Sequence, residues 1–302
     1  MKAIPMNVSL LLAVAARSMN VLAQTLQNIL PLLYAGLVLY FGRTFFRTQA
    51  TAQRMKYAVW AAYTVLALHA VYIGSYTALT HHELVATIYE LSSLIAFTLL
   101  AVHVFAELRP SRETSGTGFF VTAVAFVLQL VSSIGVSHES VPETHAILRD
   151  PIFNAHVTTS VFGYAAFMMA AIYGGLYLIL FRAIRHNEFG PVFEHIPSLE
   201  RLERYGLRAT AFGFVFLSLS IVLGGMLLGR FPPSTDTGHL LLDPKVLTTL
   251  LVWFVFGVTL FARKFAHVEG RRLVLFWMSG FALTIVSMTI VNAIGTDFHS
   301  FL

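Results

Sequence analysis

The sequence predicts an all-α, polytopic membrane protein of about eight transmembrane helices, with a short amphipathic helix ahead of them. Eight long apolar runs carry the prediction, at 24–42, 57–79, 85–106, 118–136, 152–181, 209–229, 246–262 and 273–296. Each reaches or approaches the ~20 residues that a helix needs to cross the hydrocarbon core. The 20 lysines and arginines then sort by loop. Fifteen fall between runs one and two, three and four, five and six, or seven and eight, and five (Lys2, Arg17, Arg149, Arg230, Lys245) fall on the other side. That threefold excess follows the positive-inside rule. It places segments 43–56, 107–117, 182–208 and 263–272 in the cytoplasm and both termini outside it, in a membrane expected to be a bacterial inner (cytoplasmic) membrane. A composition of 57% hydrophobic and 12% charged residues agrees, because soluble domains carry about twice that share of charge.

Taken in order, the chain opens on Lys2 and an apolar stretch from Ser9 to Ala16 that looks like the start of a signal peptide. Arg17, Gln24 and Gln27 interrupt it, so residues 6–22 read as an amphipathic helix on the outer surface. Residues 1–23 are then a surface segment and 24–302 the membrane domain. Nine of the ten prolines lie outside the spans and only Pro31 within one, as expected where lipid cannot replace a missing backbone donor. The one sizeable hydrophilic segment, Arg182 to Arg208, contains Ser198-Leu199-Glu200-Arg201-Leu202-Glu203-Arg204 after Pro197. It reads as a short cytoplasmic helix leading into the sixth span. Gly163, Gly174 and Gly175 in span five, with Gly213, Gly224, Gly225 and Gly229 in span six, allow close helix contact. No internal repeat and no soluble domain is discernible.

Several chemistries are excluded. The chain has no cysteine, hence no covalent c-type haem, no iron–sulfur cluster, and no thiol exchange without a partner. The net charge of +5 belongs to span ends, where it sets orientation and meets lipid headgroups, and no basic run interleaved with aromatics points to nucleic acid. No catalytic constellation is visible, so the chain is not expected to be an enzyme.

Twelve histidines in a chain with few charges direct attention to metal or haem. His81, His82, His138, His145, His186 and His195 lie in loops, where solvated imidazole is the ordinary state. His69 lies about 12 residues into the second span, ~18 Å from its cytoplasmic end. His103 is near the inner end of the third span, His156 in the first turns of the fifth, and His299 just beyond the eighth. An ionisable residue inside the membrane is costly. It either bonds a neighbour and packs or serves a function, and neutral imidazole is a usual axial ligand of b-type haem. Glu90, well inside the third run, either snorkels to water or needs a donor from a neighbouring segment. Arg149, Arg230 and Lys245 lie on the same outer side as His156 and His299, where they suit the carboxylates of haem propionates. By depth, a second, inner haem would pair His103 with His267.

At these residues the chain resembles the CcsA/ResC-type cytochrome c assembly proteins, and within them the HemX-like branch. Leu242-Asp243-Pro244-Lys245, Trp253, Gly280-Phe281, Val291-Asn292 and His299-Ser300-Phe301 are similar to the family's WDPKE–W–GF–VN–HSY series. Ala155-His156-Val157-Thr158-Thr159-Ser160 with Gly163-Tyr164-Ala165 resembles its HVxxSxxxYA stretch, and Thr87-Ile88-Tyr89-Glu90-Leu91 its NLYES motif. Leu68-His69 resembles a HemX histidine, and the likeness runs from about residue 30 to the end. It implies that His156 and His299 hold the iron of a non-covalent, b-type haem at the outer face. It also implies an apocytochrome or a thiol-reducing assembly partner. Two departures stand out: Phe231 to Leu242 lacks the family's tryptophans, and Phe261 stands where a family histidine is expected. Three functions therefore compete. One is haem handling in cytochrome c assembly or transport. Another is a retained-haem electron-transfer subunit of a larger membrane complex. The third is a haem-free, HemX-like regulatory or structural role.

Overall fold

The computed structural model of the chain describes residues 6–46, 52–80, 87–106, 114–136, 150–188, 190–230 and 244–294. Among these residues all regular structure is helical: α1 (Met6–Phe45), α2 (Ala52–Thr80), α3 (Ile88–Ala106), α4 (Thr114–Val136), α5 (Pro151–Arg185), α6 (Pro191–His195), α7 (Leu199–Arg230), α8 (Pro244–Phe265) and α9 (Arg271–Ile294). All but α6 coincide with the apolar runs. Six stretches are long and apolar enough to cross a membrane: Arg17–Phe45, Lys56–Leu79, Gly116–Gly135, Pro151–Arg185, Leu199–Leu227 and Val246–Phe265. Ile88–Val104 is a shorter apolar helix, and α9 covers the eighth run. The chain is a multi-pass, all-α membrane protein.

The helices form two rings, each closed in chain order. α1 packs on α2 and α4, and α3 completes the first ring by packing on the same two. α5 packs on α7 and α9, and α8 completes the second in the same way. α5 also touches α3 and α4, which makes it the joint between rings and the most buried of the candidate spans. The sequence does not repeat, yet the ring order does.

Local sequence explains the seams. In α1 the buried hydrophobic residues are Ala23, Leu26, Leu30, Tyr34, Leu37, Phe41 and Phe45, spaced three or four apart along one stripe. In α2 the equivalent stripe is Ala58, Ala62, Val65, His69 and Tyr72, so His69 occupies a core position of the first ring. Large apolar side chains such as Leu39, Trp60, Val215, Val222 and Phe254 point outward, where lipid tails are as apolar as a protein core. What holds helix to helix is therefore close packing and polar links. α5 and α7 show the first most clearly. A Cβ on Gly163 would lie 3.3 Å from the Gly213 carbonyl, and one on Gly213 would lie 2.9 Å from the Gly163 carbonyl.

Two helix starts are chemically marked. Asp150 caps α5, its Oδ1 accepting from the amides of Ile152 (2.7 Å) and Phe153 (3.3 Å), with Pro151 at the first helical position. Thr87 caps α3: the Glu90 amide donates to Thr87 Oγ1 (3.2 Å) and the Thr87 amide to Glu90 Oε2 (3.3 Å). This reciprocal capping box gives Glu90 a local task. It adds a role beside the expected choice between snorkelling and a donor from another segment.

Residues 6–22 are helical as expected, and they run without a break into the first span inside the 40-residue α1. Two expectations change. The hydrophilic segment before span six is not a separate helix leading into it, because α7 runs unbroken from Leu199 to Arg230. His195, counted among the solvated loop histidines, is buried. Its ring packs edge-on to Phe45 and its carbonyl lies against Gly116, so α6 is held between the end of α1 and the start of α4.

Candidate functional site

The second ring places His156 one turn into α5, against α7. Its Nδ1 lies 2.8 Å from the carbonyl oxygen of Ser220. A carbonyl only accepts, so Nδ1 carries the proton and the neutral ring keeps its lone pair on Nε2. The Ser220 hydroxyl, 3.1 Å from the same nitrogen, lies within hydrogen-bond reach of the His156 carbonyl (3.2 Å) and the Ser160 hydroxyl, and Ser160 Oγ lies 2.9 Å from that carbonyl; the two hydroxyl protons serve two of these three contacts. Gly224, one turn further along α7, gives the ring its place: a Cβ there would come within 3.0 Å of His156 Cε1. An imidazole fixed through Nδ1–H to a backbone carbonyl is the arrangement by which proteins orient a histidine for metal at Nε2. Held in that way, His156 could serve as a ligand to a haem iron. When bound, haem would supply a redox-active iron; Ser220 and Gly224 set the angle of the imidazole that meets it.

The first ring holds a connected, buried polar cluster. His69 is fully buried between Tyr34, whose hydroxyl is 3.0 Å from Nδ1, and Ser93, whose Oγ is 2.9 Å from Nε2. Ser93 Oγ donates to Gln129 Oε1 (3.0 Å), Gln129 Nε2 donates to Ser133 Oγ (3.1 Å), and Ser133 Oγ donates to the Gln27 carbonyl (2.9 Å). All four helices of the ring contribute. Phe97 and Tyr72 flank the imidazole at centroid distances of 5.4 and 6.0 Å.

The remaining sequence candidates are dispersed. His103 is buried in the first ring, edge-on to Phe41 at 5.8 Å. His267 lies exposed in the α8–α9 turn of the second ring, in left-handed backbone (φ 51°). The two are in different rings, one buried and one exposed. Arg230 is the last residue of α7 and Lys245 lies in the first turn of α8, which puts their backbones at the His156 end of that ring. Arg149 and His299 lie outside the described residues. Phe261 is exposed and packs on Phe265, so that position faces away from either ring's interior.

Motif residues inside the spans act as helix joints. Trp253 of α8 donates through Nε1 to Ser218 Oγ of α7 (2.7 Å) and stacks on Phe214. Tyr164 of α5 meets Thr249 of α8 through their hydroxyls at 3.4 Å. Gly280 of α9 admits the ring of Phe256, which stacks on Phe167 of α5 at 3.7 Å. Sequence reasoning missed Ser220, Ser93, Gln129, Ser133 and Tyr34. A usable signal existed for Gln129, an amide standing alone in the apolar run 118–136.

Comparison with known proteins accords with this architecture. Residues 85–299 match the family described as cytochrome C assembly protein. The chain is 29% identical over 240 residues to "Protein HemX" of Brevibacillus brevis, covering 76% of this chain and 82% of that one. It is 20% identical over 269 residues to "Protein HemX" of Bacillus subtilis (strain 168), covering 89% and 94%. It is 27% identical over 146 residues to "Cytochrome c biogenesis protein CcsA" of Chlamydomonas reinhardtii, covering 48% and 39%. A family match over most of its length, on a bundle of apolar helices, makes this chain a member of the cytochrome c assembly protein family.

Proposed function

We propose that the protein handles haem at the end of the second ring where α5 begins, as an assembly or transport component and not as an enzyme. The observation that carries this reading is the orientation of His156: Nδ1–H is held by the Ser220 carbonyl, and the Cε1–Nδ1 side of the ring lies close against Gly224. His299 is the proposed second axial ligand, and Arg149, Arg230 and Lys245 the proposed partners of the propionates. The haem is non-covalent and b-type, since the chain has no cysteine to attach it. The membrane is proposed to be the bacterial inner membrane, with this end facing outward. An apocytochrome, a thiol-reducing assembly protein or other membrane-complex subunits would be the partners.

A second reading has one specific observation in its favour. The segment from Phe231 to Leu242 has no tryptophan, so the aromatic surface expected for presenting haem to a recipient is missing. A haem that stays in place as an electron-transfer group needs no such surface.

The visible spectrum of the purified protein in lipid nanodiscs separates these readings. Substoichiometric haem, lost from His156→Ala or His299→Ala and partly restored by imidazole, supports handling. Stable, reducible haem at one equivalent or more supports retention. A colourless protein that also fails to take up added haem removes both and leaves a HemX-like regulatory or structural role.

A further inference from the structure

The polar cluster of the first ring has a direction, and the direction can be read from one end. The Gln27 carbonyl can only accept, so Ser133 donates to it. With its hydrogen spent there, the Ser133 oxygen accepts from Gln129, which turns the Gln129 amide nitrogen toward Ser133 and its oxygen toward Ser93. Ser93 therefore donates to Gln129 and accepts from His69, so the His69 proton sits on Nε2. Nδ1 is then the acceptor, and the Tyr34 hydroxyl donates to it. Each donor has one acceptor along the line. The tautomer of His69 is set by a backbone carbonyl of α1 on the far side of α4.

We infer that His69 is the keystone of a proton-ordered relay, Tyr34–His69–Ser93–Gln129–Ser133–Gln27, that fixes the register of α1, α2, α3 and α4 and closes this imidazole to iron. The geometry at Nε2 decides the second part. Ser93 Oγ lies 2.9 Å from that nitrogen, and an iron–imidazole bond of ~2 Å along the same direction would put the metal about 1 Å from the oxygen. Ligation would require three changes at once: removal of the Nε2 proton, displacement of Ser93, and rotation of the Tyr34 hydroxyl to the Ala96 carbonyl, now 3.4 Å away. Each breaks a hydrogen bond where no water is at hand to replace it. Aromatic rings also crowd the imidazole, with Phe97, Tyr34 and Tyr72 at centroid distances of 5.4, 5.8 and 6.0 Å. His69 and His156 are thus opposite cases. In His156 a carbonyl holds Nδ1–H and Nε2 is the acceptor, whereas in His69 the carbonyl at the end of the relay places the proton on Nε2.

The consequence for haem rests on the haem-handling reading, but the tautomer does not, and solid-state nitrogen NMR measures the two separately. The probe is the full-length protein with 15N-labelled histidine in liposomes, with and without ferric haem. The His69 signals are assigned by their disappearance in His69→Gln, which keeps one donor and one acceptor. We expect a neutral ring protonated at Nε2, unbroadened by haem, and an unchanged number of haem equivalents in His69→Gln. Ser93→Ala removes the acceptor and should shift the ring to the Nδ1–H form, with Tyr34 turned to Ala96; a side chain that merely fills space would not do this. A parent His69 protonated at Nδ1, or signals broadened by haem together with loss of one equivalent in His69→Gln, overturns the inference. If the protein takes up no haem, the haem-handling reading fails and the tautomer still decides this one.

Discussion

His156 and Gly224 face each other across the α5–α7 contact so closely that one added methyl group would touch the imidazole, with Cβ 3.0 Å from Cε1 and 3.2 Å from Nδ1. The ring can reach the Ser220 carbonyl only because α7 presents bare backbone there. Gly224→Ala should therefore rotate the ring off its hydrogen bond and weaken haem affinity by about 10-fold, the lower end of what loss of an orienting partner costs a metal ligand. Gly225→Ala is the matched control, since nothing lies within 4 Å of its Cβ. Haem titration followed by Soret absorbance checks the pair, and equal affinities would detach Gly224 from the site.

The same helix pair predicts a stability effect independent of haem. A Cβ at Gly213 would lie 2.6 Å from the ring of Phe167 and 2.9 Å from the Gly163 carbonyl. Neither neighbour can retreat cheaply, because Phe167 is itself stacked on Phe256. Gly213→Ala should cost about 1–3 kcal/mol by overpacking. Gly175→Ala, in open space on α5, should be close to neutral. Thermal unfolding in detergent, monitored by helix signal, reads both.

Helix positions were legible in the sequence because apolar length alone specifies a span, and all eight runs coincide with helices. The ring arrangement was not, since lipid-facing and core-facing residues are equally apolar and periodicity loses its contrast. Leu39 points outward and Leu37 inward, and nothing in their chemistry says which. His69 and His156 were visible as unusual residues in apolar runs, but their partners are a carbonyl (Ser220) and a relay entering from three other helices. The capping role of Glu90 was legible too, because the Thr-x-x-Glu signal at 87–90 is purely local.

That capping box yields a further prediction. If Thr87 and Glu90 act through reciprocal bonds to each other's amides, Thr87→Ala should cost about 1 kcal/mol, the usual penalty for a lost N-cap. Glu90→Gln keeps the acceptor oxygen without the charge, so it should leave stability nearly unchanged and haem content untouched. Measured unfolding midpoints for the two variants check this. A large loss in Glu90→Gln would show that the carboxylate's charge is needed for something beyond the cap.

The orientation in the membrane is testable because one end of the second ring behaves as a single surface. Glu203 at the start of α7 accepts from the Gly270 amide (2.8 Å) and pairs with Arg263 at the end of α8 (3.7 Å), while Arg263 also pairs with Glu269. These contacts hold the α7 start, the α8 end and the α9 start together, and Arg201, Arg204, Lys264, Arg271 and Arg272 lie on the same segments. No one helix could invert without tearing that cluster, so the orientation is all or none. The positive-inside rule then predicts that the whole end lies in the cytoplasm. The native chain has no cysteine, so single substitutions report cleanly. Gly190→Cys, between α5 and α6, should resist a membrane-impermeant maleimide in intact cells and react after lysis, while Leu302→Cys should react in intact cells. Labelling of position 190 from outside would reverse the orientation of every helix and move His156 to the cytoplasmic face.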